Sequence, residues 1–167
     1  RYPNITGKNG QPIDSPSPHI KATLEADINA FSAVMRYLKK ADPQHTVIMM
    51  QVENESGSWG SVRDYSATAQ KLFEEPVPAE LLKPEVLKAL NIPAGSEGTW
   101  SRVFGDRADE YFQAWSVASF IGKVAAAGKA ASPLHLSANA ALRAPLTNPM
   151  ANTYESGGPT DNVIPIW

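Results

Sequence analysis

Leu24, Ile28, Phe31, Met35 and Leu38 recur at spacings of three and four between Lys21 and Lys40, with mostly polar residues between them. That period predicts an amphipathic helix. Lys39 and Lys40 fall in its last turn, where cations suit the helix dipole, and "DPQ" at 42–44 breaks it. A second helix is predicted from about Asp106 to Ala127. Its stripe is Tyr111, Trp115, Ala118, Ile121 and Val124, and Gly128 in "AGKA" ends it. Thr46 to Val52 is short, apolar and without alternation, the pattern of a strand buried on both faces. "PLHLSA", Pro133 to Ala138, is a second strand, ending at Asn139. Residues 1–19, with "GKNGQP" and "SPSPH", read as loop, as does "RAPLTNPMANTYESGGPTDN". Residues 56–107 form a long insertion-like loop with short helices, one interrupted at Pro84. The closing "VIPIW" is apolar and opens another element.

The resulting order is loop, helix, strand, long loop, helix, strand, loop. Such αβαβ alternation belongs to a parallel sheet with crossover helices. Both strands end in polar residues followed by long loops, and in α/β barrels and doubly wound sheets sites are built at those ends. Two strands cannot close a barrel, and a complete (β/α)8 domain needs about 250 residues. The 167 residues open at Arg1 and stop at Trp167, directly after an apolar run. The expectation is a fragment of a larger domain.

Composition narrows the function classes. A chain that is 43% hydrophobic and 19% charged has enough apolar residues for a real core. A net charge of -2 favours neither nucleic acid nor an anionic membrane surface. No apolar stretch approaches the roughly 18 residues that span a bilayer. There is no Cys, which excludes disulfides and thiolate metal sites. His19, His45 and His135 are scattered, so no metal site is expected.

The chemistry concentrates at "VIMMQVENESGSWG", residues 47–60, where an oily run meets carboxylates and amides. If the strand continued, Gln51, Glu53 and Glu55 would share one face and Val52 and Asn54 the other. Two carboxylates on one face repel, which raises the pKa of one and suits it to general acid work. The plainer reading is a solvated loop, in an α/β domain unrelated to any hydrolase.

The segment "TVIMMQVENESGSWG" resembles the fourth-strand segment of retaining (β/α)8 glycoside hydrolases, in which Asn-Glu closes the strand. The wider match is to glycoside hydrolase family 35, the β-galactosidases, and within it a bacterial β-galactosidase-like subgroup. It is carried by "SPSPHIKATLEADINAFSAVMRYLK", "QVENESGSWGSVRDYS", "GTWSRVFGDRADEYFQAW" and "NTYESGGPTDNV", and covers essentially the whole chain. The resemblance implies a partial TIM (β/α)8 barrel, from roughly helix 3 to the start of strand or loop 6. It implies that Glu55 is the acid/base catalyst and that Asn54 bonds the sugar 2-hydroxyl. It places Glu53 near the sugar. Asn139 is expected in the same mouth, Trp59, Trp100 and Tyr154 are stacking candidates, and Glu155 is read as a structural or substrate-contacting residue.

Retaining hydrolysis needs a second carboxyl about 5 to 5.5 Å away. The resemblance puts that nucleophile beyond Trp167, so the chain by itself is expected to be inactive. The implied partner is a carbohydrate substrate, a β-galactoside or related oligosaccharide, and no cofactor is needed. The rest of the barrel or another chain would cover the strand edges, without which the chain should associate. Relatives of this kind suit a periplasmic or extracellular setting. The alternative is a non-catalytic carbohydrate-binding or truncated, inactive segment.

Overall fold

The structure, a computed structural model, describes residues 2–140, 156–159 and 163–167. Its centre is a pair of long helices, α1 (Lys21–Ala41) and α5 (Ala108–Ala131), which pack against each other. Leu24, Ile28, Phe31 and Met35 of α1 face α5, as the period predicts, and Met35 is wholly buried. Gly128 does not end α5. The helix continues for three residues, and Ser132 closes it by donating its N–H to the Gly128 carbonyl. A Cβ at 128 would run into the Phe31 ring, so this glycine permits the close approach of the two helices. The sequence signal for a C-cap and that for a tight helix contact are the same residue.

β3 (Met49–Gln51) and β4 (His135–Ser137) pair in parallel, with Met49 opposite His135, Met50 opposite Leu136 and Gln51 opposite Ser137. Both are shorter than the predicted strands, because only these residues share a ladder. Val52 extends the pairing by one bond, its N–H donating to the Ser137 carbonyl at 2.8 Å. Its side chain packs on Val117, Ile121 and Val124 of α5, so the crossover helix covers one face of the pair.

The partial (β/α)8 barrel is not what forms. Among the described residues the parallel sheet has two strands, and the second sheet is a separate antiparallel pair. That pair joins β1 (Asn4–Thr6) to β2 (Pro12–Pro16) within the stretch read as loop. Its turn is closed by bonds between Gly7 and Gln11 and between Gly10 and Gly7. Pro12 and Pro16 lack an N–H and are tolerated because each lies on an edge. A parallel pair with a crossover helix is the common unit of many α/β folds, so the αβαβ pattern could not select the barrel. Nor is β3 buried on both faces: Ile48 is 76% and Met49 53% exposed.

Those exposed side chains flank an edge with no ladder partner among the described residues. Open apolar edges template association. The chain is therefore expected to sediment as a dimer or larger species at micromolar concentration, and Ile48→Lys with Met49→Lys to shift it towards monomer. A wild-type chain that runs as a monomer with one sharp melting transition would contradict this.

Between β3 and α5 lie α2 (Ala67–Phe73), α3 (Pro84–Ala89) and α4 (Trp100–Phe104), with 3₁₀ turns at Ala79–Leu82 and Gly105–Arg107. Each helix is short, but together they bury Phe73, Leu87, Leu90, Trp100 and Phe104 against Tyr111 and Phe112 of α5. Residues near the C-terminus join this core through Val163 and Ile166. Trp100, 2% exposed, meets Phe104 and Phe112 in tilted and edge-on ring contacts and also borders a cleft between α1, α4 and α5.

Candidate functional site

At the carboxyl end of β3 the pleat stops. Glu53 and Glu55 both have positive φ, 58° and 48°, in the left-handed region that non-glycine residues rarely adopt. The expected alternation of Gln51, Glu53 and Glu55 on one face is thereby replaced by a tight, strained loop. Such conformations cost on the order of 1 kcal/mol each and gather at functional sites.

Side-chain amides hold the loop in place. Asn54 Oδ1 accepts from Gln51 Nε2 at 2.9 Å and from Asn139 Nδ2 at 3.2 Å. Asn139 Oδ1 in turn accepts the backbone N–H of Glu55 at 2.8 Å. Asn139 follows β4, so one carboxamide ties the ends of both parallel strands together. Asn139 is thus joined to Asn54 and Glu55, 85 and 84 residues away in sequence.

The loop forms one wall of a cleft of about 260 Å³. Glu53, Asn54, Glu55 and Ser56 line it together with residues of β2, α1 and α5. Burial pushes the Glu53 carboxyl above its usual range, and the Asp27 carboxylate on α1 adds to the shift. Burial also raises Asp27. The like-charge partner of Glu53 is therefore Asp27 and not Glu55. The Glu53, Asn54 and Glu55 side chains all reach solvent.

Trp59 is 52% exposed and does not line this cleft. Tyr154 and Glu155 lie outside the described residues. Sequence reasoning missed Asp14, Thr23 and Asp27, which also line the cleft. Asp27 did leave a signal: it follows Leu24 by three positions and so falls on the apolar face of α1. Asp14 was hidden because its strand was read as loop.

Behind the cleft stands a buried polar hub built from "VRDYS", residues 62–66. Asp64 is 0% exposed. Its Oδ1 accepts the N–H groups of Thr6 and Ser66 at 3.0 and 2.8 Å, and its Oδ2 accepts the Ser17 hydroxyl at 2.6 Å. The Asp64 N–H donates to Gln113 of α5 at 3.2 Å. Arg63 donates to Asp109, Gln70 and the Asp64 carbonyl at 2.6, 2.8 and 2.8 Å. Its guanidinium lies 4.1 Å from the Tyr65 ring centre and 4.0 Å from that of Phe73. The Tyr65 hydroxyl donates to Asp109 at 2.9 Å, and burial, with Asp109 beside it, pushes its pKa up to about 12. The hub fastens the hairpin, α2 and α5 to the loop that follows the candidate catalytic residues.

Among the described residues no group of three His, Asp or Glu side chains is placed to hold a metal ion. No helix among them is long and apolar enough to cross a membrane. The sequence matches no family model and no curated protein.

Proposed function

We propose that the strand-end cleft is a sugar-processing site in which Glu55 is the acid/base of retaining, β-galactosidase-like glycoside hydrolysis. The observation that carries this reading is the Asn139 bridge, which sets Asn54 and Glu55 side by side at the carboxyl ends of two hydrogen-bonded parallel strands. The resemblance of "QVENESGSWGSVRDYS" to family 35 supports it. In this reading Glu55 protonates the departing glycosidic oxygen and then takes a proton from the water that completes hydrolysis. Asn54 bonds the sugar 2-hydroxyl, an interaction that strengthens in the transition state. The second carboxylate comes from outside this chain, which supplies the acid/base half of the site.

The test uses the product of the whole gene. An acid catalyst matters most when the leaving group is poor. Glu55→Gln is expected to lower kcat/KM for an alkyl β-galactoside by about a hundred- to ten-thousand-fold. A dinitrophenyl β-galactoside, whose leaving group needs no proton, should lose far less. Equal losses on both substrates, or no loss on the alkyl one, would overturn the assignment. The exposure of Glu55 to water favours a second reading, a carbohydrate-binding unit without chemistry. Binding of a β-galactoside with no turnover of either substrate by the wild-type product would select it.

A further inference from the structure

The cleft at the end of β3 has a one-sided charge. Asp14 reaches it from β2, Asp27 from α1, and Glu53 and Glu55 from the loop. No Lys, Arg or His lines it among the described residues. Arg63, close in sequence, is turned away and engaged by Asp109, Gln70 and the Asp64 carbonyl.

A cluster of carboxylates is common on solvated surfaces and is not by itself a site. Here a second feature points to a ligand. Thr23 of α1 lines the same cleft, is 8% exposed, and its buried hydroxyl has no hydrogen-bond partner among the described residues. The buried Ser56 hydroxyl, from the loop after β3, also lacks one. A buried hydroxyl left unpaired costs about 1–3 kcal/mol, so a bound group that pairs with it is favoured. Phe120 of α5 adds an apolar surface suited to the C–H face of a sugar ring. At about 260 Å³ the space is small for a ligand pocket and suits a single ring.

We propose that this cleft binds a hydroxylated organic cation, a protonated amino sugar, in preference to its neutral and anionic counterparts. The ammonium takes the place of the missing counter-charge between Asp27 and Glu53, and the ring hydroxyls pair with Thr23 and Ser56. Burial raises both carboxyls, and a cation between them would oppose that shift. An anionic sugar would meet four carboxylates and no cation. The inference rests on the reading of the cleft as a sugar site and specifies the substrate class.

Calorimetric titration of the whole-gene product tests it with four probes: methyl 6-amino-6-deoxy-β-D-galactopyranoside, methyl β-D-galactopyranoside, methyl β-D-galactopyranosiduronate and spermidine. The amino sugar is expected to bind at least about tenfold more tightly than the galactoside, which replaces only the ammonium with a hydroxyl, an increment of about 1.4 kcal/mol. The uronate should show no binding. Asp27→Asn and Glu53→Gln should each shrink the amine preference, and Thr23→Val should weaken both sugars alike. Equal affinity for amine and alcohol, binding of the uronate, or a preference untouched in both carboxylate variants would overturn the proposal. So would spermidine binding as tightly as the amino sugar, since it offers ammonium groups without a ring. These readings come from binding with Glu55 intact, whereas the hydrolytic assignment is read from leaving-group dependence in Glu55→Gln. Either can fail alone.

Discussion

Asp64→Ala is expected to lower the free energy of unfolding by about 3–5 kcal/mol, among the largest single-residue effects in this protein. The carboxylate is fully buried and accepts three hydrogen bonds, from Thr6, Ser17 and Ser66. Removing it leaves two backbone N–H groups and a hydroxyl without their acceptor, and each buried unpaired group costs about 1–3 kcal/mol. The partners belong to the hairpin and to the start of α2, so the loss also loosens those elements from each other. Asp64→Asn is the informative companion. Its carbonyl oxygen can still accept both N–H groups while its amide donates to the Ser17 oxygen, so the expected cost falls to about 1–2 kcal/mol. Urea unfolding followed by far-ultraviolet circular dichroism measures both. An Asp64→Ala protein within about 1 kcal/mol of wild type would show that the hub contributes far less than its hydrogen bonds imply.

Arg63→Ala comes next, with an expected loss of about 3–4 kcal/mol. Two effects add. The guanidinium leaves Gln70, the Asp64 carbonyl and Asp109, and the rings of Tyr65 and Phe73 lose the cation stacked against them. The Asp109 pairing contributes the least, because that carboxylate is 38% exposed and water can replace the arginine. Arg63→Lys separates the contributions. A lysine keeps the positive charge but cannot fork to several acceptors while lying flat between two rings. It should therefore recover less than half of the loss in the same urea experiment. Full recovery by lysine would mean that charge alone matters and that the planar stacking does not.

The two hub predictions bear on function because two partners of Asp64, Ser17 and Gln113, also line the cleft. Ser58 illustrates the connection. Its hydroxyl donates to the Ser61 carbonyl and accepts from Gln113, while its backbone exchanges two hydrogen bonds with Ser156. The segment running from Glu55 into the hub is held at Glu55, Ser58 and Ser61, so the position of Glu55 depends on a network that extends beyond the cleft.

How much of this was legible beforehand differs by element. α1 was predicted to within a residue at each end, since a period of 3.6 is a local property and its breaker lies next to it. α5 was located, but its C-terminal end was misplaced by four residues at Gly128 because the tight contact with Phe31 cannot be seen along the chain. The stripe assigned to α5 was also too narrow. Phe112, Ala114 and Val117 are buried as well, since the helix is covered from several sides. The two parallel strands were found, and the barrel inferred from them was wrong, since a strand pattern states the neighbours a segment could accept and not how many it has.

The candidate site divides in the same way. Asn54 and Glu55 were visible because a polar cluster interrupts an apolar run, and Asn139 because it closes the second strand. Their meeting through one carboxamide, the left-handed turns at Glu53 and Glu55, and the approach of Asp27 to Glu53 were not visible. Nor was the hub, in which residues 46 to 58 positions apart share buried or half-buried hydrogen bonds.

By itself the sequence determined the two long helices, the two short parallel strands, and where a carboxylate-rich loop breaks away from an apolar strand. These depend on residues within a few positions of each other, whose propensities and periods act before any long-range contact forms. Only the tertiary structure decided the number of strands that pair, the partner of each buried charge, and the face of the loop that meets the cleft. Those outcomes depend on desolvation and close packing between distant residues, which exist only once the chain has folded.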